Sequence, residues 1–244
     1  MSSNTSARSA PQVVLASASP RRRQLLAAMT PDFRVAPADV DEARQGDETP
    51  GQMVRRLSLA KAHAAADLLS AREEPPTGGW LVIAADTIVV DGQPHGAILG
   101  KPADAGEARQ MLRRLRDRRH WVYSGLAILA IQDNGAPHDA ASPPTVACTP
   151  VIMRAYDDDE LERYVASGDP LDKAGAYAVQ HTDFRPIARL EGCYTNVVGL
   201  PMCHLYGALP AACRSAWRHP LESCPYAREH TGCPWAAAIL AALL

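Results

Sequence analysis

What most constrains this chain is an alternation running from Gln12 to Ala166: short apolar runs suited to buried strands are each followed by helix-start chemistry. Gln12-Val-Val-Leu-Ala16 reads as a strand. Ser19-Pro20 behind it supplies an N-cap and a proline at the first helical position, for a helix through Met29. Residues 33–36 read as a second short strand, and Thr49-Pro50-Gly51-Gln52 has capping-box spacing for an amphipathic helix to about Leu69. Trp80-Leu-Val-Ile-Ala84 and Thr87-Ile-Val-Val90 are strand-like, with Asp91-Gly92 as a turn and Ala97-Ile-Leu99 as the return. Asp104 and Glu107 start a helix to about Arg116. Residues 120–131 and 146–153 predict a second hairpin through a loop over 132–144, and Asp157 caps a helix to Ala166. Strands alternating with helices specify an α/β domain, and the two hairpins make its sheet mixed. Loop-rich sequence is expected from there to Leu200.

The bulk properties narrow the partners. With 25 basic and 27 acidic side chains the net charge gives no push toward nucleic acid or an anionic membrane, so any anion site must be local. The first dozen residues are polar, without an apolar signal core, and residues 1–11 read as a disordered start. The longest apolar run, Trp235 to Leu244, is ten residues, against the ~20 needed to span a bilayer. These features lead us to expect a cytoplasmic protein with neither a membrane nor a nucleic-acid partner.

Four segments carry chemistry. Leu15-Ala-Ser17-Ala-Ser19-Pro20-Arg21-Arg22 runs off a strand into a helix start, where unpaired N–H groups, two hydroxyls and two guanidinium forks suit polyphosphate oxygens. An ordinary capped helix with solvated arginines would read the same way. Asp86, in Ala84-Ala85-Asp86-Thr87, stands at the expected end of an apolar strand. It suits holding a cation or polarising a water, or simply forming a turn. Lys101, between Gly100 and Pro102, sits in fixed non-helical backbone from which its ammonium could reach a phosphate; the P-loop spacing is absent. In the stretch from Gly168 to Gln180, Gly175 permits close backbone approach, while Tyr177 and Gln180 could stack on and hydrogen-bond a base. Asp172-Lys173 in the same stretch is equally readable as a surface ion pair. The acidic run Asp39-Val-Asp41-Glu42 could help bind a divalent cation or form a surface turn, and Lys61 follows in the second helix.

Taken in order, these segments resemble the Maf family of nucleotide pyrophosphatases. The likeness rests on residues 15–22, Asp41-Glu42, Arg56-Leu57 with Lys61-Ala62, Ala85-Asp-Thr-Ile-Val-Val90 and Leu99-Gly-Lys-Pro102. It extends through Glu107-Ala108 with Met111-Leu112, Asp172-Lys-Ala-Gly-Ala-Tyr177 with Gln180, and Tyr194-Thr-Asn-Val-Val-Gly-Leu-Pro201. It implies a Maf/ITPase-like fold, a mixed twisted sheet with flanking helices and two lobes around a cleft, over residues 12–202. It also implies a homodimer and cleavage of a nucleoside triphosphate to monophosphate and pyrophosphate with Mg²⁺ or Mn²⁺. Carried onto this chain, Asp86 becomes the general base, with Glu42, Lys61 and Lys101 as catalytic contacts and Asp86 and Glu42 as metal ligands. Ser17, Arg21, Arg22, Thr87, Lys173 and Gln180 become substrate contacts. Gln180 is similar to the dTTP/UTP-hydrolysing branch, whereas the 7-methyl-GTP branch tends to carry an acidic residue there. His181, Tyr123-Ser124-Gly125 and Met202-Cys203-His204 depart from the family pattern.

Residues 203–244 form an extension holding Cys203, Cys213, Cys224 and Cys233. These, with His204, His219 and His230, could bind zinc or an iron–sulfur cluster, although buried unpaired cysteines are commoner and no Cys-x2-Cys pair occurs. Residues 214–231 look poorly structured. A rival reading, a nucleotide- or nucleic-acid-binding regulator without turnover, would use the basic run 109–119. At helical spacing, with Met111, Leu112 and Leu115 inward, that run reads better as a solvated helix face.

Overall fold

The computed structural model describes residues 9–134 and 142–243. The cap chemistry works as its residue types predict. Ser19 accepts from the Arg22 N–H and opens α1 (Pro20–Met29). Thr49 and Gln52 close a reciprocal box on α2 (Pro50–Ser70), Asp104 caps α3 (Ala105–Leu115), and Asp157 with Glu160 boxes α4 (Asp158–Ala166). Within α3 the buried side chains are Ala108, Met111, Leu112 and Leu115, which leaves its arginines on the outer face.

The strands are β1 (Gln12–Leu15), β2 (Phe33–Val35), β3 (Trp80–Asp91), β4 (Ile98–Leu99), β5 (Arg119–Ile131), β6 (Ser142–Met153) and β7 (Ile187–Leu190). They form one mixed sheet in the order β2-β1-β3-β5-β6-β7, with β4 beside β3. β1 runs parallel to β2 and β3, and the other pairings are antiparallel. The expected α/β class and mixed sheet are what the chain adopts.

β3 corrects one expectation. Asp86 does not end a strand: it lies in the middle of a single 12-residue strand that pairs with β5 throughout, Asp86 opposite Gly125 and Thr87 opposite Ser124. The polar pair leaves the ladder intact because β5 supplies a backbone partner at each step. On the other edge of β3, pairing is interrupted. β1 accompanies it only to Ile83, and β4 joins only at Val89 and Val90. The site described below opens at that gap.

Strand parity then divides the core. Leu81, Ile83 and Ala85 face α1, while Val82 and Ala84 face Ala62, Ala65, Ala66 and Leu69 of α2. Farther along, Val89 joins a cluster with α3 and α4, and Ile88 and Val90 meet Met53, Val54 and Leu57 of α2. The helix α2 therefore covers one face from end to end, whereas two separate lobes sit on the other. Asp86 and Thr87 occupy the polar step between these clusters. Gly125 lets α2 settle there: a Cβ on it would lie 2.0 Å from the Val54 carbonyl oxygen.

The stretch expected to be loop holds two short helical turns (Asp169–Asp172 and Ala174–Ala176), β7 and α5 (Tyr194–Val198), all too short to show periodicity. The region 214–231 contains α8 (Pro220–Ser223) and α9 (Pro225–Glu229), between α7 (Ala211–Arg214) and α10 (Ala236–Leu243). It does not hang free. Leu205 of α6 (Met202–Ala208), Leu209, Trp217, Cys224 and Ala227 share a buried cluster with Leu15, Leu26 and Ile83. Residues 1–8, most of the expected disordered start, and 135–141 of the expected hairpin loop lie outside the described residues.

Candidate active site

All ten residues singled out from the sequence line one cleft of ≈ 390 Å³: Ser17, Arg21, Arg22, Glu42, Lys61, Asp86, Thr87, Lys101, Lys173 and Gln180. Parity explains how two neighbouring strand residues serve it. Asp86 points toward α2, where Lys61 donates to its Oδ1 at 2.6 Å, and Thr87 points toward α1, where Arg22 donates to its Oγ1 at 3.0 Å.

Lys61 is shared. Its ammonium also donates to Glu42 Oε1 at 2.6 Å, joining two carboxylates that lie 25 and 19 residues away in sequence. Burial pushes the Glu42 carboxyl up, but the Lys61 hydrogen bond, with Lys101 and Arg22 nearby, outweighs it and holds the group below its ordinary value. Asp86 is 6% exposed, and its second oxygen makes no hydrogen bond among the described residues. A carboxylate buried to that degree, with one oxygen held by an ammonium and the other unused, suits proton abstraction from a water or ligation of a cation.

Arg22 is the fixed cation of the cleft. Its Nε donates to the Gly199 carbonyl at 2.8 Å, while Nη1 and Nη2 donate to Ser17 Oγ at 3.3 Å and Thr87 Oγ1. Burial lowers its pKa, and the Asp86 charge works against that shift. Arg21 is held more loosely, 3.8 Å from Asp172 across the cleft. Lys101 makes no hydrogen bond or ion pair among the described residues and lines the same space.

The 173–180 segment forms the opposite wall. Lys173 is buried, and its ammonium is engaged by Asp169 and by Asp172, the ion pair that the sequence left open, rather than left free for a phosphate. Tyr177 is also buried, with its hydroxyl 2.7 Å from His120 Nε2, so it supports the wall instead of offering a face for stacking. Gln180 is exposed at the rim. Gly175, at φ 68°, provides the close approach expected of it: a Cβ there would lie 2.9 Å from Val89. Of the acidic run, Asp39 and Glu42 line the cleft, while Asp41 accepts from the Ala43 N–H in a turn.

Three contributors lay unassigned in the sequence. Ser124 pairs with Thr87 Oγ1 at 2.9 Å and reaches the Asn196 carbonyl at 3.1 Å; Asn196 donates to the Val122 carbonyl and Thr149; the Gly199 carbonyl anchors Arg22. The motif from Tyr194 to Pro201 signalled family likeness without revealing that its role is to brace the guanidinium.

The protein's own donors fit a hard divalent cation that takes most of its shell from elsewhere. Among the described residues no group of three His, Cys, Asp or Glu could hold a metal ion by itself, and the cleft offers the carboxylates of Asp86 and Glu42, which could supply two ligands. Mg²⁺ is commonly held by one or two carboxylates, with substrate phosphates and waters completing its octahedron.

The chain is similar to several known proteins. The family model described as Maf-like protein matches residues 12–212. A dTTP/UTP pyrophosphatase of Pelotomaculum thermopropionicum is 46% identical over 197 residues, covering 80% of this chain and 93% of its own. Proteins of the same name from Syntrophotalea carbinolica and Geobacter sp. (strain M21) are 44% and 43% identical, each covering 81% of this chain and respectively 83% and 93% of their own. Among solved structures, the Staphylococcus aureus Ham1 protein aligns with 90% of this chain and 97% of its own at 13% identity and a TM-score of 0.38. The chain belongs to the Maf family.

Proposed function

We propose that the chain is a nucleoside triphosphate pyrophosphatase that cleaves dTTP- and UTP-like nucleotides to the monophosphate and pyrophosphate. The observation that carries the reading is the placement of Asp86, held by Lys61, in the same cleft as the Ser17–Arg22 helix mouth and Lys101. The names of the relatives favour the dTTP/UTP substrate class.

In this mechanism the helix start and the side chains of Ser17, Arg21, Arg22 and Lys101 bind the triphosphate oxygens. Arg22 is preorganised by its three bonds, so little side-chain entropy is lost when substrate arrives. A divalent cation held by Asp86 and Glu42 would neutralise phosphate charge and lower the barrier to attack. Asp86 takes a proton from water. The water oxygen forms its bond to the α-phosphorus, and the bond from that phosphorus to the bridging oxygen breaks and releases pyrophosphate. Lys61 keeps Asp86 oriented, and Gln180 at the rim reads the base edge through one donor and one acceptor.

The test incubates wild type and Asp86→Asn with a panel of triphosphates and Mg²⁺ or Mn²⁺ and identifies the products. Pyrophosphate release from dTTP and UTP is expected, with the variant slower by about 10³-fold, in the range of a lost general base. Orthophosphate as the first product, or a variant equal to wild type, would overturn the mechanism. Preference for 7-methyl-GTP would keep the reaction and replace the substrate.

A further inference from the structure

A second cluster of reactive side chains lies in a cavity that shares no lining residue with the cleft. Cys193, Cys203, Cys224 and Cys233 surround a space of ≈ 10 Å³ beside Thr195 and Tyr226. They come from four places: just before α5, within α6, between α8 and α9, and just before α10. All four line this one space, and no disulfide joins any of them.

One of the sulfurs already has a hydroxyl beside it: Thr195 Oγ1 stands 3.3 Å from Cys193 Sγ. Donors of this kind stabilise thiolates and are the usual second layer around thiolate-bound metals. A coordinated thiol is deprotonated outright, so a bound metal ion would supply the positive charge that four gathered sulfurs otherwise lack.

We propose that Cys193, Cys203, Cys224 and Cys233 ligate a soft-metal centre, either an iron–sulfur cluster or a zinc ion. Four sulfur donors select these two occupants over hard cations. Among the described residues no three of these ligands already stand at the distances that a metal ion requires, so either occupant would rearrange the four side chains around the small space that they line. Binding exchanges four S–H protons for four metal–sulfur bonds and leaves the oxidation state of sulfur unchanged.

The centre answers a structural need. The helices α7, α8 and α9 have four, four and five residues, too few to stand alone, and a metal staple is one way such segments are held. Cys224 and Cys233 lie beyond residue 212, where the family match ends, so the centre is a property of this chain rather than of its family. It also reaches toward the cleft: Cys193 immediately precedes α5 and Gly199, which anchors Arg22, immediately follows it.

The test purifies the full chain without oxygen or chelator and measures iron, acid-labile sulfide, zinc and visible absorption. Iron and sulfide in stoichiometric amounts with sulfur-to-iron absorption identify a cluster, and one colourless zinc per chain identifies the ion; either supports the centre. Cys224→Ser and Cys233→Ser should each lower metal content or affinity by about tenfold or more, while Cys148→Ser and Cys213→Ser, outside the cavity, retain it. In case the ligand variants fail to fold, the wild type is also assayed for thiol alkylation and melting. Four thiols should stay protected until a strong chelator is added, and the melting temperature should then fall. A folded, metal-free protein would overturn the proposal if its thiols react freely and its melting ignores both zinc and chelator.

Discussion

The two walls of the cleft use charge differently. On the wall built from β1, α1, α2 and β3, Arg22 is bonded to Ser17 and Thr87, and Lys61 to Asp86, whose second oxygen stays unused among the described residues; Lys101, just after β4, makes no bond among them. On the wall built from residues 172–180, Lys173 is consumed by Asp169 and Asp172, and the Tyr177 hydroxyl by His120. The first wall presents chemistry and the second presents shape. A charged residue in a pocket is therefore not by that fact a ligand contact: its partners decide.

The comparison breaks most easily at Arg22. Arg22→Ala strips partners from Ser17, Thr87 and the Gly199 carbonyl at once. It should cost about 2–4 kcal/mol in urea unfolding and about 10²-fold in kcat/KM for dTTP. If only turnover fell, its bracing role would be wrong.

A smaller effect tests the supporting wall. His120 is fully buried, and burial lowers its pKa from 6.5 to about 4. Between those values the unfolded chain binds a proton that the folded chain refuses, so stability is complete above pH 6.5 and declines as pH falls toward 4. The decline amounts to roughly 3 kcal/mol by the lower end. His120→Gln can still pair with Tyr177 but does not titrate, so its urea midpoint should vary less with pH across that window. Equal slopes would remove His120 as the cause.

The smallest effect belongs to Gln180 at the rim. Gln180→Ala should leave stability within about 0.5 kcal/mol, as for other exposed positions, and should change relative rates among bases more than the rate of cleavage itself. A uniform collapse across all triphosphates would move Gln180 onto the chemical wall.

Much of this was legible along the chain. The caps at Ser19, Thr49, Asp104 and Asp157 located four helices, since a cap is a local bond between residues two or three apart. The site residues were legible as types in order, from the serine–arginine stretch to Gln180. Their engagement was not. The sequence left Asp172-Lys173 open as an ion pair, but only the fold buries Lys173 and brings Asp169 onto it as well, while Lys101 stays without a bond among the described residues. Asp86 looked like a strand end because the partner that carries β3 past it, β5, is almost 40 residues away at Gly125.

By itself, then, the sequence determined the α/β class, the positions of the four capped helices and the inventory of charged groups around the serine–arginine turn, because periodicity and capping act over a few residues. The tertiary structure alone decided which of those groups remain available, that Asp86 and Thr87 serve opposite faces of one strand, and that four cysteines from four segments meet in one cavity. Those outcomes depend on contacts between residues far apart in the chain, for which a linear reading carries no distance.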